Sequence, residues 1–328
     1  MRKFSLNMLN RRILRIKVFK SLYAAVQTWE TASAASLADA QAAFKQSVEA
    51  TRDLYLFMLG IVEPLTALAS ERLQAARQKA HPTEEDLHPN TKFADNLLAR
   101  YLSENADFVK GFNKKKFSWQ QYDLVLKKVL NSIVTKEWYQ AYMASPKRSM
   151  KEDCALFTHI FEEEFVDLNE LDDLLEDMNI WWNDDLAYAL TWCCRSFSDI
   201  ASGKEWSLPP LYQSELMKRS SAGPVEDDSV FAAKLLEYAF CNYSDYSDRI
   251  AKLAEGWEKD RMVLTDICLI VCALCECVHF PNIPLRVSMN EYVEIAKYYG
   301  SLKSNVFVNG LLDKLIRQMQ ESGEISKR

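Results

Sequence analysis

The sequence predicts an all-α protein, and three observations carry that expectation. Glycine and proline are scarce, 8 and 9 in 328 residues, less than half their usual combined share of about 12%. They also cluster, at Pro82 and Pro89, Pro209 and Pro210, Gly223 and Pro224, and Pro281 and Pro284. The long stretches between these breaks are rich in Ala, Leu, Lys and Glu, and their apolar residues recur at helical spacing.

The first helix is expected over Asn10–Glu30. Asn10 suits an N-cap, and Val18, Leu22 and Val26 form one apolar stripe flanked by Phe19 and Tyr23. Continued backwards, that stripe reaches Arg15 and Arg11, with Arg12 beside them. A cationic helix start of this kind favours an anion. Helical periodicity then runs from Ser36 to Lys79, interrupted around Gly60 and Pro64, and His81–Asn90 reads as a linker. Ser118 and Gln121 have capping-box spacing and predict a helix to about Ser145. Lys114, Lys115 and Lys116 beside Phe112, Phe117 and Trp119 match the composition of a base-stacking patch. The favoured reading is a solvated loop whose aromatics anchor the next helix.

No basic residue lies between Lys151 and Arg195. Phe157, Phe161, Phe165, Leu168 and Leu171 keep helical spacing there, so the many acids are expected on the outer face. Leu208–Asp228 reads as a linker, and Asp228 or Ser229 as the cap of a helix to about Tyr243. Helices over Tyr246–Gly256 and Asp260–His279 follow, the second apolar nearly all round and so central. Ser288 and Glu291 have capping-box spacing, Gly300 ends that helix, and Ser304 is expected to cap the last one.

Formal net charge is −6, yet residues 1–20 hold Arg2, Lys3, Arg11, Arg12, Arg15, Lys17 and Lys20 with no acid. A basic front end on an acidic body suggests a localised polyanion site. Cys268, Cys272, Cys275 and Cys277 crowd one segment, and the first three share a helical face with His279 just beyond. Small buried thiols fit a helix contact better than a metal site, whose ligands usually come from separate turns. The nearly apolar run Ile267–Cys275 is far shorter than the ~20 residues of a membrane span. No clean apolar export stretch follows the N-terminal charges. A cytoplasmic protein without membrane partner, metal or cofactor is expected.

The C-terminal elements Ile283-Pro284, Asn290-Glu291, Glu294-Ile-Ala-Lys297, Gly300 and Phe307-Val-Asn-Gly-Leu-Leu-Asp-Lys314 resemble the signature of the NusB family of bacterial transcription antitermination factors. Asn10-Arg-Arg-Ile-Leu-Arg15, Leu22-Tyr23 and Ala273-Leu-Cys-Glu276 resemble its further motifs in the right order. The resemblance covers residues 1–30 and 225–320. It implies a NusB-like helical bundle, divided into 1–30 and 225–328 by an extended inserted helical region, 31–224. It further implies a non-enzymatic factor binding boxA-type single-stranded RNA of ribosomal transcripts with NusE, a small-subunit ribosomal protein, in an RNA polymerase antitermination complex. Carried over by position, Arg11, Arg12, Arg15 and the adjoining Lys17, with Phe307 and Asn309, become RNA-binding residues. Tyr23 and Asp266 become partner-facing. Val306, Val271 and Cys275 depart from the family pattern, where a basic residue, an arginine and a tyrosine are common. A protein scaffold without RNA binding, or an RNA-modifying enzyme with a NusB-like domain, are the alternatives.

Overall fold

The computed structural model describes residues 8–29, 36–212, 227–254 and 263–327, and all regular secondary structure among them is helical. Arg2, Lys3, Glu30, Gly223, Pro224, Gly256 and Asp260 lie outside the described residues. The chain divides into two compact units, one of Met1–Val48 with Pro210–Arg328 and one of Glu49–Pro209. The first unit thus takes in more chain than the expected 1–30 and 225–328.

In the first unit, α1 spans Arg11–Trp29. The Asn10 side chain accepts from the Ile13 amide at 3.0 Å, which is the expected N-cap. Leu14, Val18, Leu22 and Val26 of α1 are buried. Upstream, the Met8 and Leu9 amides donate to the carbonyls of Pro210 and Leu211 at 2.8 and 2.9 Å. The helix α2, Leu37–Leu59, belongs to this unit as far as Val48. Beyond Pro210 come α12 (Asp228–Cys241), α13 (Tyr243–Ala254), α14 (Leu264–His279), α15 (Leu285–Tyr299) and α16 (Ser304–Glu321). Helix α14 is the centre of the unit, touching α1, α12, α13, α15 and α16. Every residue from Cys268 to Cys275 has no solvent exposure. Burial pushes the thiols of Cys268 and Cys277 up to about 12, so they pack as neutral, small apolar groups.

Two capping expectations give way here to tertiary contacts. Helix α15 starts after Pro284, and Ser288, its expected cap, is buried with its hydroxyl on Glu276 at 2.7 Å. Glu291 pairs with Arg12 instead of reaching back along its own helix. Likewise α16 begins at Ser304 itself, whose hydroxyl accepts from the Ser301 amide at 2.7 Å and donates to Asp266 at 2.9 Å. Gly300 does end α15, in an extended conformation with φ −97°.

The second unit begins with the rest of α2 and continues through α3 (Val62–Arg77), α4 (Glu84–Leu87), α5 (Leu97–Glu104) and α6 (Ala106–Lys114). Next come α7 (Asp123–Ile133), α8 (Glu137–Ala144), α9 (Met150–Glu163), α10 (Asn169–Met178), a 3₁₀ turn at Ile180–Trp182 and α11 (Leu186–Ala201). The expected helix from Ser118 to Ser145 is two, α7 and α8, and no capping box forms at Ser118. Trp119 is instead drawn into the core, stacked on Phe57 at 4.3 Å and donating to the Phe57 carbonyl at 2.9 Å. Phe117 meets Phe57, Phe112 and Trp182 edge-on. The aromatics beside the three lysines are therefore anchors, as the favoured reading expects. The linker His81–Asn90 contains a short helix, α4, closed by a capping box between Thr83 and Asp86. Phe157, Phe161 and Phe197 join α9 to α11. The acids of the same stretch lie mostly outside, but Asp153 is buried against the Tyr142 hydroxyl and Asp185 against the Thr51 hydroxyl. By length and composition Leu37–Arg77 could cross a bilayer, but 56% of its apolar window is buried within the protein.

Candidate nucleic-acid interface

The start of α1 and the start of α15 line one open groove of about 620 Å³. Arg11, Arg12 and Arg15 form one wall, and Asn282, Pro284 and Val287 form the other. Both helices present their N-termini, where first-turn amides lack intrahelical carbonyls and the dipole is positive. Two N-termini and three guanidiniums around one open groove make it an anion-attracting surface.

The arginines are all held by carboxylates of the same unit. Arg11 Nε donates to Asp228 Oδ1 at 2.9 Å, and its guanidinium carbon lies 5.0 Å from the centre of the Phe231 ring. Arg12 meets Glu291 through Nε and Nη2, both at 2.8 Å. Those hydrogen bonds raise the Arg12 pKa and lower that of Glu291, so both stay charged. Arg15 meets Glu276 the same way, at 2.7 Å for each bond. Burial alone would lower the Arg15 pKa, but its bonds and proximity to Glu276 outweigh that and raise it. Glu276 also accepts from the Ser288 hydroxyl at 2.7 Å and the Tyr292 hydroxyl at 3.3 Å.

The expected RNA-facing residues are thus split. Arg11, Arg12 and Arg15 come together in the groove, but Arg15 is only 4% exposed and Lys17 is buried with its ammonium on the Ser47 carbonyl at 2.9 Å. Arg15 continues the apolar stripe of α1 into the core, while Lys17 lies on another buried face of the helix, beside Leu14 and Ser21, and each satisfies its charge or donors there. Phe307 and Asn309 are not part of the groove wall. Phe307 is buried, Asn309 is exposed, and beside them Val306 is 65% exposed.

Of the expected partner-facing pair, Tyr23 is half-buried, near Phe19 and accepting from Gln27 at 2.8 Å. Phe19 in turn lies 5.7 Å from the ring of Tyr299. Asp266 is 1% exposed, with Oδ2 bonded to Ser304 and Oδ1 without a hydrogen-bond partner among the described residues. Burial raises its pKa. It braces the α15–α16 turn from inside.

Sequence reasoning missed Asn282 and Val287 as groove residues, and Asp228 and Glu276 as arginine partners. For Glu291 the spacing signal was present but pointed to a cap. Among the described residues, no group of three or more His, Cys, Asp or Glu side chains could hold a metal ion.

The NusB family model matches residues 211–317. A transcription antitermination protein NusB of Chloroherpeton thalassium is 33% identical over 135 residues, covering 38% of this chain and 64% of that protein. The protein of the same name from Desulfitobacterium hafniense is 38% identical over 94 residues, 29% of this chain and 64% of its own. That from Myxococcus xanthus is 32% identical over 128 residues, 35% of this chain and 91% of its own. The chain therefore spans just under two thirds of the first two relatives and nearly all of the third. No solved structure matches the chain.

Proposed function

The chain belongs to the NusB family, and on that premise we propose that it is an RNA-binding transcription antitermination factor. In this reading it binds boxA-type single-stranded RNA of ribosomal transcripts together with NusE and supports processive transcription of ribosomal RNA. The observation that carries the reading is the groove, where Arg11 and Arg12 flank two helix N-termini. Guanidiniums there offer bidentate contacts to backbone phosphates, and unpaired bases remain open to stacking or edge recognition elsewhere along the strand. Arg15 and Lys17 serve by positioning, Arg15 through Glu276 and Lys17 through the Ser47 carbonyl. Near Phe307 and Asn309 the exposed Val306 offers shape without charge, so the groove supplies most of the electrostatic attraction. Tyr23 is the proposed contact to the protein partner, and Asp266 supports that role indirectly by fixing Ser304.

Binding of a boxA-type RNA oligonucleotide across a salt series tests this. Arg12→Ala is expected to weaken binding and to reduce the salt slope by up to about 0.7, the value for one unhindered single-strand phosphate contact. Affinity and slope unchanged in that variant would remove the RNA role. The pairing of all three arginines with carboxylates favours a second reading, a NusB-like scaffold that has given up RNA binding. Co-purification with NusE without measurable boxA affinity selects the scaffold. Saturable binding of S-adenosylmethionine would instead point to an RNA-modifying enzyme.

A further inference from the structure

The three groove arginines are engaged on unequal terms. Glu276 is fully buried and accepts from Ser288 and Tyr292 as well as Arg15, so its departure would unpair further donors. Asp228 holds Arg11 from the first turn of α12, where the helix dipole favours a carboxylate. Glu291 differs from both. Its side chain is 22% exposed, and it pairs with Arg12, itself 50% exposed, and at 3.8 Å with Arg15. Arg12 meets it through Nε and Nη2, the side-on edge that a guanidinium presents to carboxylate and phosphate alike.

We propose that Glu291 is a competing anion built into the groove, holding the phosphate-binding edge of Arg12 until a backbone phosphate of single-stranded RNA displaces it. The inference rests on the RNA-binding reading above. An ion pair this open to solvent exchanges partners at little cost. It nevertheless has two consequences for binding. Arg12 enters the complex already neutralised, so it releases fewer counterions than a bare cation would. The displaced carboxylate is then left facing the phosphate that replaced it. Glu291 thus sets both the affinity and the salt dependence of the site, and it disfavours weakly held, non-cognate polyanions that cannot supply compensating contacts.

The test uses the full chain, a boxA-type RNA oligonucleotide and a salt series. Wild type, Glu291→Gln, Arg12→Ala and the double variant form a cycle. Glu294→Gln is the control, because it removes the same charge from an exposed site on the same helix, where Glu294 pairs with Lys297. Glu291→Gln is expected to tighten binding about fivefold and to steepen the salt slope by less than about 0.7, the part of one single-strand phosphate contact that pairing with Glu291 suppresses in wild type. That gain should vanish in the Arg12→Ala background, and Glu294→Gln should change affinity less than about twofold. An equal gain from Glu294→Gln, or one that survives Arg12→Ala, means general charge relief and overturns the gate. If Arg12→Ala weakens binding while Glu291→Gln changes nothing, RNA binding stands and the gate falls. If neither wild type nor Glu291→Gln binds, both fall. Thermal melts confirm that each variant folds. Should Glu291→Gln fail to fold, Glu291→Asp shortens the carboxylate's reach and should give a smaller gain of the same sign, and its absence counts against the gate.

Discussion

Arg12 and Arg15 stand three residues apart on one helix and make the same bidentate contact, yet burial gives the two pairs different worth. Arg15–Glu276 is enclosed and carries four hydrogen bonds on one carboxylate. Removing one partner of such a pair strands a buried charge, at a cost of about 3–5 kcal/mol. Glu276→Gln should therefore lower the midpoint of urea unfolding by that equivalent, and a loss below ~1 kcal/mol would show the pair to be dispensable. Arg12–Glu291 is half open to solvent and is worth about 1 kcal/mol at most. Its pH dependence has a definite sign. Arg12 lowers the Glu291 pKa below its ordinary 4.5, so the folded state holds the proton less tightly than the unfolded chain. The pair's contribution is present above pH 4.5 and is lost as pH falls through the lowered value. Unfolding of wild type and Glu291→Gln measured at a series of pH values should show a small gap at neutrality that closes in acid. A gap that widens in acid would contradict this. An acid that contributes so little to stability, in the middle of an anion groove, is better explained by what it does to ligands.

Helix termini show what the local sequence can and cannot specify. Asn10 was legible as a cap because its partner, the Ile13 amide, lies three residues away. Substitution to Ala should cost about 1 kcal/mol in thermal or urea unfolding. Ser288 and Glu291 have equally good local spacing, but their side chains are taken by Glu276 and Arg12, far off in sequence. No pattern within one helix reveals that competition. Gly300 was read correctly as a stop for a reason that differs from the one observed. Its φ of −97° is open to any residue, so left-handed geometry is not what requires it. A Cβ there would lie 2.2 Å from Ser304 Cβ and 2.8 Å from the Ala296 carbonyl oxygen. Gly300→Ala must therefore shift the α15–α16 turn and disturb the Ser304–Asp266 bond, with an expected loss of about 1–3 kcal/mol. A melting temperature equal to wild type would show that the turn relaxes freely.

Across the whole molecule, the two units differ in charge as well as in relatedness. Glu49–Pro209 carries 18 basic and 27 acidic side chains, net −9, while the remainder carries 22 and 19, net +3. The NusB resemblance was legible in motifs whose residues sit next to one another in sequence, and the all-helical fold in scarce glycine and proline and in helical periodicity. The edges of the insertion were not. They depend on where the chain re-enters the first unit's contacts, through Leu9 with Leu211 and Lys17 with Ser47. Those contacts also show that the first unit is nearly continuous without the insertion. Leu9 and Lys17 are eight residues apart on or beside α1, a rise of about 12 Å. A flexible linker of about six Gly and Ser residues spans roughly 13 Å on average. Replacing Glu49–Pro209 with such a linker should therefore leave a chain that melts cooperatively with a helical spectrum. Every arginine of the groove, with Asp228, Glu276 and Glu291, remains in that chain. Its affinity for the RNA oligonucleotide should stay within about threefold of the full protein, with the same salt slope, since the phosphate contacts are unchanged. The excised Glu49–Pro209, with its acidic excess, should bind none. A shortened chain that folds but loses RNA binding would place the site in the insertion and overturn the assignment to the groove.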